Sequence, residues 1–139
     1  MSKNQIGLNN EQSKQLAKKL NVLLSNYHLF YQNARGFHWN ITGEKFFELH
    51  VKFEELYTDA LLKIDEIAER ILTLGHTPTH TFTDYVALSS IKEAKNVTDG
   101  KKAIALILDG YSKLLPLERE LLELSSRIKA IAFFPSVTF

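Results

Sequence analysis

The chain has 139 residues, 45% of them hydrophobic and 24% charged, which is enough for one domain with a sizeable buried core. Its 17 basic and 16 acidic residues give a net charge of +1, which argues against binding nucleic acid through bulk positive charge. The absence of cysteine excludes disulfides, thiolate metal sites and a cysteine nucleophile. With neither a signal peptide nor the ~20-residue apolar stretch of a membrane helix, we expect a soluble cytoplasmic protein.

The first half of the chain predicts two long helices joined by a short turn. Apolar residues recur every three or four positions over residues 11–39 and again over 44–74, which is the pattern of amphipathic helices. The turn at 40–43 contains Thr42, which we expect to cap the second helix. Gly75 follows the second helix and favours its end there.

The second half predicts a crossover followed by a third long helix. The crossover spans 76–97 and has weak structure, apart from a short helix near 82–90. Thr98-Asp99 caps the third long helix, which extends to about residue 125. Pro116 lies inside it, and an interior proline costs about 3 kcal/mol, so we expect a kink or a break there.

The last stretch, 126–139, departs from the helical pattern because it is apolar and β-branched and has no cap. Three amphipathic helices leave a four-helix bundle one helix short. We therefore expect that a partner chain covers the open face or that the product is truncated relative to its fold. The chain reads as a single domain, with residues 1–10 as an N-terminal tail and 126–139 as an off-pattern C-terminal tail.

The second long helix carries an imidazole and three carboxylates on one face. His50, Glu54, Asp65 and Glu69 fall within about 100° of its circumference, taking ~100° per residue. Such ligands suit a borderline metal such as Fe, Zn or Mn. The ordinary alternative is a solvated helix face, because an isolated histidine on a helix is more often a surface or core residue than a ligand.

The spacing along this helix argues for a site shared between two chains. His50 and Asp65 are roughly 22 Å apart along the helix axis, so one metal ion cannot bridge them within one chain. A second copy of the helix, antiparallel across a twofold axis, could place Asp65 and Glu69 opposite His50. His38 precedes the turn by about as much as His50 follows it, so both imidazoles could lie at one level.

The central part of the sequence also resembles a known family. It contains His38-Trp39, a short turn, Phe46-Phe47 with His50 three residues on, a carboxylate four residues later, a D-x-x-x-E pair and a leucine-glycine end. This arrangement resembles the signature of the Dps family, the ferritin-like mini-ferritins. The similarity extends over residues 10 to about 125.

The resemblance implies an all-α, ferritin-like four-helix bundle with a long crossover, whose fourth helix, due after residue 125, is missing or altered here. It also implies hollow shells of twelve subunits with a ferroxidase site for iron at the twofold interface. The implied site residues are His38 and His50 from one subunit, Asp65 and Glu69 from its mate, Glu54 as a further carboxylate, and Trp39 as a supporting residue that scavenges radicals or packs.

The function implied is that of a ferroxidase that oxidises Fe(II), preferably with hydrogen peroxide, stores the ferric product and protects the cell against oxidative damage. Two other interpretations stay open. One is a DNA-compacting protein of the nucleoid, for which the sequence assigns no DNA-binding residue, since only Lys3 precedes the first helix. The other is a truncated Dps-like product that forms no shell.

Overall fold

The computed structural model describes residues 9–127, which form four α-helices, three long and one short. Their bounds are α1 Asn10–Asn40, α2 Phe46–Thr73, α3 Phe82–Leu88 and α4 Gly100–Arg127. The all-α fold predicted from the sequence is therefore confirmed, and each helix begins and ends close to its predicted limits. No helix in this part of the chain is both long and apolar enough to cross a membrane.

The described residues contain four helices when the short crossover helix is counted, and α4 is the third long helix that the sequence predicted; the expectation of a missing or altered helix concerns the chain after residue 125. The seven-residue α3 forms within the crossover, because Thr81 caps it by accepting a hydrogen bond from the Asp84 backbone N–H. The last helix, α4, extends past the predicted end at residue 125 because Leu124 and Ser125 are still buried. The rest of the off-pattern tail, 128–139, lies outside the described residues.

Pro116 does not break α4, so the predicted interruption is wrong. The proline removes one backbone hydrogen bond, but its ring lies on the exposed face of the helix. Leu114, Glu118 and Leu121 are buried on either side of it. Their packing maintains the helix across the position where local propensity alone would end it.

The long helix α1 is the centre of the packing. It runs antiparallel to α2, as shown by contacts between His38 and His50 near the turn, and between Tyr27 and Lys63 further along. It also contacts α4 and α3. The core residues of α1 share a stripe at intervals of three and four. They include Leu16, Leu20, Leu23, Tyr27, Phe30, Ala34 and Phe37.

The turn between α1 and α2 is attached to the start of α4. The Thr42 N–H and hydroxyl both donate to the Thr98 carbonyl, at 2.9 and 3.3 Å. Thr42 therefore does not cap α2, whose N-cap position is Lys45 without a side-chain hydrogen bond. The predicted cap of α4 is confirmed, because an Asp99 carboxylate oxygen accepts from the Lys102 N–H at 3.0 Å.

Three asparagines of α1 fasten the crossover along the length of that helix. Asn21 donates to the Thr77 carbonyl, and its amide oxygen accepts from the Thr79 N–H. Asn33 binds segment 92–94 in the same way. The Asn26 amide oxygen accepts from the Ser90 and Ile91 N–H groups, and its nitrogen donates to the Val22 carbonyl of its own helix. Because a buried backbone needs partners for its polar groups, these side chains substitute for the secondary structure that the crossover lacks.

Candidate metal centre

His38 and His50 face each other across the turn that joins α1 and α2. Their rings are stacked, with centroids 3.7 Å apart and planes 13° from parallel. His38 lies in the last turn of α1 and is buried, and His50 lies in the second turn of α2 and is half-buried. The sequence argument that both imidazoles lie at one level agrees with this arrangement.

Each imidazole is held by the backbone of the other residue. His38 Nδ1 donates to the His50 carbonyl at 2.6 Å, and His50 Nδ1 donates to the His38 carbonyl at 2.7 Å. A carbonyl oxygen only accepts, so Nδ1 carries the proton in both rings. In the neutral form of each ring the lone pair is then on Nε2, which is the arrangement by which outer hydrogen bonds orient metal-binding histidines.

Aromatic side chains surround the two imidazoles. Phe46 stacks on the His50 ring at 4.9 Å, and Tyr57 meets the His38 ring edge-on at 5.4 Å. Phe37 and Phe53 form a further edge-to-face pair and are buried. The contacts of Phe46 and Tyr57 with the imidazoles limit the rotation of both rings.

The structure does not bring the predicted carboxylates to the histidines of the same chain. Glu54, Asp65 and Glu69 are all exposed on α2. Within residues 9–127, no three histidine, aspartate or glutamate side chains lie close enough to hold a metal ion together. One chain therefore supplies two imidazoles at one place and carboxylates further along the same helix.

The carboxylates share their face of α2 with exposed apolar side chains. Residues 47, 51, 54, 58, 62, 65 and 69 follow one another at intervals of three or four and therefore form one stripe. Within it Phe47 is 78% exposed and Leu62 is 63% exposed. An open cleft of about 500 Å³ lies along this stripe, lined by Val51, Glu54, Glu55, Thr58, Asp59 and Leu62.

Trp39, the predicted supporting residue, is 57% exposed at the end of α1. The guanidinium of Arg35 lies over its ring, 4.7 Å from the centroid. The same guanidinium lies 5.2 Å from the Tyr31 ring and donates to the Tyr31 hydroxyl at 2.7 Å. The indole is therefore held by a cation and is not free on the surface.

Sequence reasoning missed a second polar cluster inside the bundle. Glu118 is buried and accepts a hydrogen bond from the Tyr27 hydroxyl. Burial raises the pKa of the Glu118 carboxyl, and this increase is opposed by the Tyr27 hydrogen bond and by the charge of Lys63. The sequence could have indicated this buried carboxylate, because Glu118 lies four residues after Leu114 and three before Leu121, at a position of α4 that faces the core.

Comparisons with known proteins agree with this fold. The family described as Ferritin-like domain matches residues 17–131. The chain is 50% identical to an uncharacterised Haemophilus influenzae protein over 88% of its length and 76% of that protein. It is 37% identical to the DNA protection during starvation protein of Porphyromonas gingivalis, over 86% of this chain and 75% of the other.

Solved structures give the same result. The crystal structure of a Dps protein from Vibrio cholerae superposes with a TM-score of 0.92 at 50% identity, covering 96% of this chain and 86% of that one. Its description places that protein among ferritin-like diiron-carboxylate proteins. A Dps protein from Bacillus brevis superposes with a TM-score of 0.86 at 30% identity, over 91% of this chain and 85% of that one.

Proposed function

Because the chain belongs to the Dps family of ferritin-like proteins, we propose that it is an iron-oxidising and iron-storing mini-ferritin. In this function it oxidises Fe(II), preferably with hydrogen peroxide, and so protects the cell against oxidative damage. The observation that carries the proposal is the imidazole pair, in which reciprocal hydrogen bonds leave the Nε2 atoms of His38 and His50 ready to bind a metal.

The proposed site is shared between two copies of the chain. His38 and His50 come from one copy, and Asp65 and Glu69 come from α2 of the other, with Glu54 as a further carboxylate. Support comes from the length of α2, since His50 and Asp65 are roughly 22 Å apart along its axis, and from the exposure of all three carboxylates. A twofold contact between two α2 helices would form two equal sites.

The exposed stripe of α2 supplies the apolar surface for such a contact. Phe47, Val51 and Leu62 are large, exposed and in the same register as the carboxylates. Burying apolar surface contributes about 25 cal/mol per Å², so covering these side chains would favour the dimer. The same contact would bring the carboxylates out of solvent and next to the imidazoles.

The ligand types suit the oxidation of iron. Neutral imidazoles bind Fe(II), and carboxylates compensate the additional positive charge when Fe(III) forms. Each Fe(II) gives up one electron and hydrogen peroxide accepts two, so two ferrous ions reduce one peroxide to water. This stoichiometry consumes both reactants that would otherwise generate hydroxyl radical, and it leaves ferric iron for storage in a proposed shell of twelve subunits.

The test combines single variants with a mixture of them. His50→Ala alone and Asp65→Ala alone should each slow peroxide-driven Fe(II) oxidation severely while the circular dichroism of the helices is retained. Co-expression of the two variants should restore activity, because a mixed dimer contains one site with all its native ligands. His76→Ala, in the crossover, is the matched control and should react like the native protein.

Co-expression of the two variants also distinguishes a site shared between two chains from a site formed within one chain. If all ligands came from one chain, every chain in the mixture would carry one damaged site and no activity would return. Native oxidation rates in both single variants would contradict the proposed site altogether.

DNA compaction is a second candidate, favoured by the names of several relatives, which are DNA protection during starvation proteins. Of the lysines near the start of α1, Lys14 and Lys18 are exposed, whereas Lys19 pairs with Glu120 of α4. Retention of duplex DNA in a gel, lost when salt is added, would support this function because phosphate contacts are salt-dependent.

A further inference from the structure

The last long helix, α4, carries a row of exposed apolar side chains beside its buried stripe. Ile104, Leu108, Leu115 and Leu122 are 41, 62, 36 and 41% exposed. Taking ~100° per residue, these four side chains lie within about 40° of one another around the helix. No charged residue of α4 falls in this sector. The four residues, here called the α4 apolar row, therefore form a continuous apolar surface along the helix.

The α4 apolar row is one wall of a groove between α2 and α4. The start of α4 is tied to Thr42 and its last third pairs with Lys19, so α4 runs antiparallel to α1. Because α2 is also antiparallel to α1, α2 and α4 run in the same direction. Each of them packs on α1, and neither packs closely on the other. The groove therefore has α1 as its floor and α2 as its second wall.

The sequence that follows α4 has the composition to fill this groove. Residues 128–139 contain one charged residue, Lys129, and Pro135 opposes a helix there. In extended backbone, alternate side chains point to opposite sides. From residue 131 onward, one side of an extended chain would be apolar, and the other would carry Ser136 and Thr138. The apolar side would consist of Ile131, Phe133, Pro135, Val137 and Phe139.

The length of this segment also agrees with the length of the row. Residues 131–139 span about 30 Å when extended, at ~3.3 Å per residue. Leu122 and Ile104 are about 27 Å apart along the axis of α4, at ~1.5 Å per residue. Residues 128–130 remain for the reversal of chain direction. Because the segment is attached to the end of α4, its effective concentration at the groove is high, which favours it over a separate partner.

We propose that residues 128–139 turn back after α4 and cover the groove as an extended strap, whose apolar side lies on the α4 apolar row. Ile131 then lies at the level of Leu122, and Val137 at the level of Leu108, because about 20 Å of extended chain matches 13 or 14 residues of helix. The strap takes the position left open by a fourth long helix. It does not depend on iron binding.

The chain has no cysteine, so an introduced pair of cysteines reports the contact directly. The double variant Leu108→Cys with Val137→Cys should form a disulfide within one chain under mild oxidation, because the proposed register brings the two side chains together. The matched control is Asp109→Cys with Val137→Cys. Asp109 is exposed at the same level but about 100° further around α4, so this pair should remain largely reduced.

Co-expression of the two single variants shows which chain supplies the strap. If the strap lies on its own helix, chains with Leu108→Cys and chains with Val137→Cys should give no linked dimer on a non-reducing gel. A linked dimer would mean that a second copy covers the groove, and it would overturn the proposal. Equal disulfide yields in the Leu108 and Asp109 pairs would overturn it as well.

Two neighbouring phenylalanines give a second test that needs no cysteine. Phe133 is on the proposed apolar side of the strap, and Phe134 is on the opposite side. Phe133→Ser should uncover the groove and increase the fluorescence of a bound apolar dye, and amide hydrogen exchange in α4 should become faster. Phe134→Ser, the matched control, should resemble the native protein. Equal effects of the two substitutions, with the circular dichroism of the helices retained, would contradict an extended strap.

Discussion

At the scale of single residues, the histidine half of the proposed metal site depends on two Nδ1–H donors that bind backbone carbonyls. The Nδ1 atoms of His38 and His50 are occupied by backbone carbonyls, so neither ring can rotate without breaking a bond. These bonds exist in the folded chain without any ligand. We infer that the imidazole half of the site is organised before iron arrives.

A second residue-scale feature, Glu118, makes the stability of the protein depend on pH. Because burial raises its pKa above the ordinary value of 4.5, the folded state binds this proton more tightly than the unfolded state. The protonated Glu118 side chain therefore contributes its full stabilisation at pH values below the pKa of Glu118 in the unfolded chain. This stabilisation is lost as pH rises through the pKa of Glu118 in the folded protein. The Tyr27 hydrogen bond and the charge of Lys63 oppose this increase in the pKa of Glu118.

We predict that Glu118→Gln has little effect at low pH and becomes stabilising relative to the native chain as pH rises. The difference should grow as pH rises through the folded-state pKa of Glu118, because only the native chain then loses the proton that its folded state binds more tightly. Urea unfolding at a series of pH values on both sides of the ordinary carboxyl pKa measures it. Parallel stability curves for the two proteins would show that Glu118 has the same pKa in both states.

At the scale of elements, two glycines in long helices have opposite surroundings. A Cβ built on Gly110 of α4 would lie 2.9 Å from Phe30 Cδ2, whereas nothing lies within 4 Å of one built on Gly36 of α1. Gly110 therefore sets how closely α4 approaches α1, and Gly36 has no such role.

We predict that Gly110→Ala destabilises the fold by about 1–3 kcal/mol through overpacking, even though alanine favours helix. Gly36→Ala should stabilise it by up to about 1 kcal/mol, because only helix propensity changes. Thermal or urea unfolding of the two variants checks both values. A stabilising Gly110→Ala would mean that Phe30 can move aside without loss.

The crossover is an element that depends on side chains rather than on its own secondary structure. The amide oxygen of Asn26 accepts from the backbone N–H groups of Ser90 and Ile91, at 3.0 and 3.1 Å, and Asn26 is fully buried. Removing this acceptor takes away the partner of the Ser90 N–H and one of the two acceptors of the Ile91 N–H, the other being Ser89 Oγ; a lost hydrogen bond to a buried group typically costs about 1–3 kcal/mol.

We therefore predict that Asn26→Ala lowers the free energy of unfolding by about 2–4 kcal/mol. Asn40→Ala is the matched control, since the Asn40 side chain is exposed and bonds only to the Gly36 carbonyl of its own helix; its effect should stay within about 0.5 kcal/mol. Equal effects of both substitutions would contradict a special role for Asn26. Hydrogen exchange at Ser90 and Ile91 would locate the loss.

The helices could be predicted from the sequence because their apolar spacing is local. The histidine pair could also be placed, since both residues lie close to one short turn. The roles of Asn26 and Thr42 could not be predicted, because their partners are more than 50 positions away in the chain. These partners also bind through backbone atoms, which every residue type has, so the sequence does not indicate them. Pro116 was misjudged because tertiary packing outweighed its local cost.

At the scale of the whole molecule, the carboxylates and imidazoles of one chain are separated, and large apolar side chains of α2 are exposed. Both observations concern surfaces that a second copy could cover. A monomer would leave the stripe with Phe47 and Leu62 in contact with water, and exposed patches of this kind mark interaction sites.

We predict a solution mass of roughly 190 kDa by light scattering, which corresponds to twelve copies under the symmetry of the proposed shell. Thr58→Lys should lower this mass, because a contact that places Asp65 opposite His50 brings residue 58 close to the twofold axis, where a lysine would face its own counterpart in the second copy. A mass of one or two chains for the native protein would instead support the truncated, non-assembling interpretation.

The central position of α1 has a consequence for the order in which the protein folds during synthesis. The α1–α2 hairpin depends on contacts near in sequence, which form quickly, whereas α4 and the crossover require α1 as a surface already in place. The ribosome delivers this hairpin first, and it carries both histidines. We therefore expect a nascent chain to acquire its imidazole pair before the crossover emerges, so that iron in the cell meets a prepared half-site on a protein still being made.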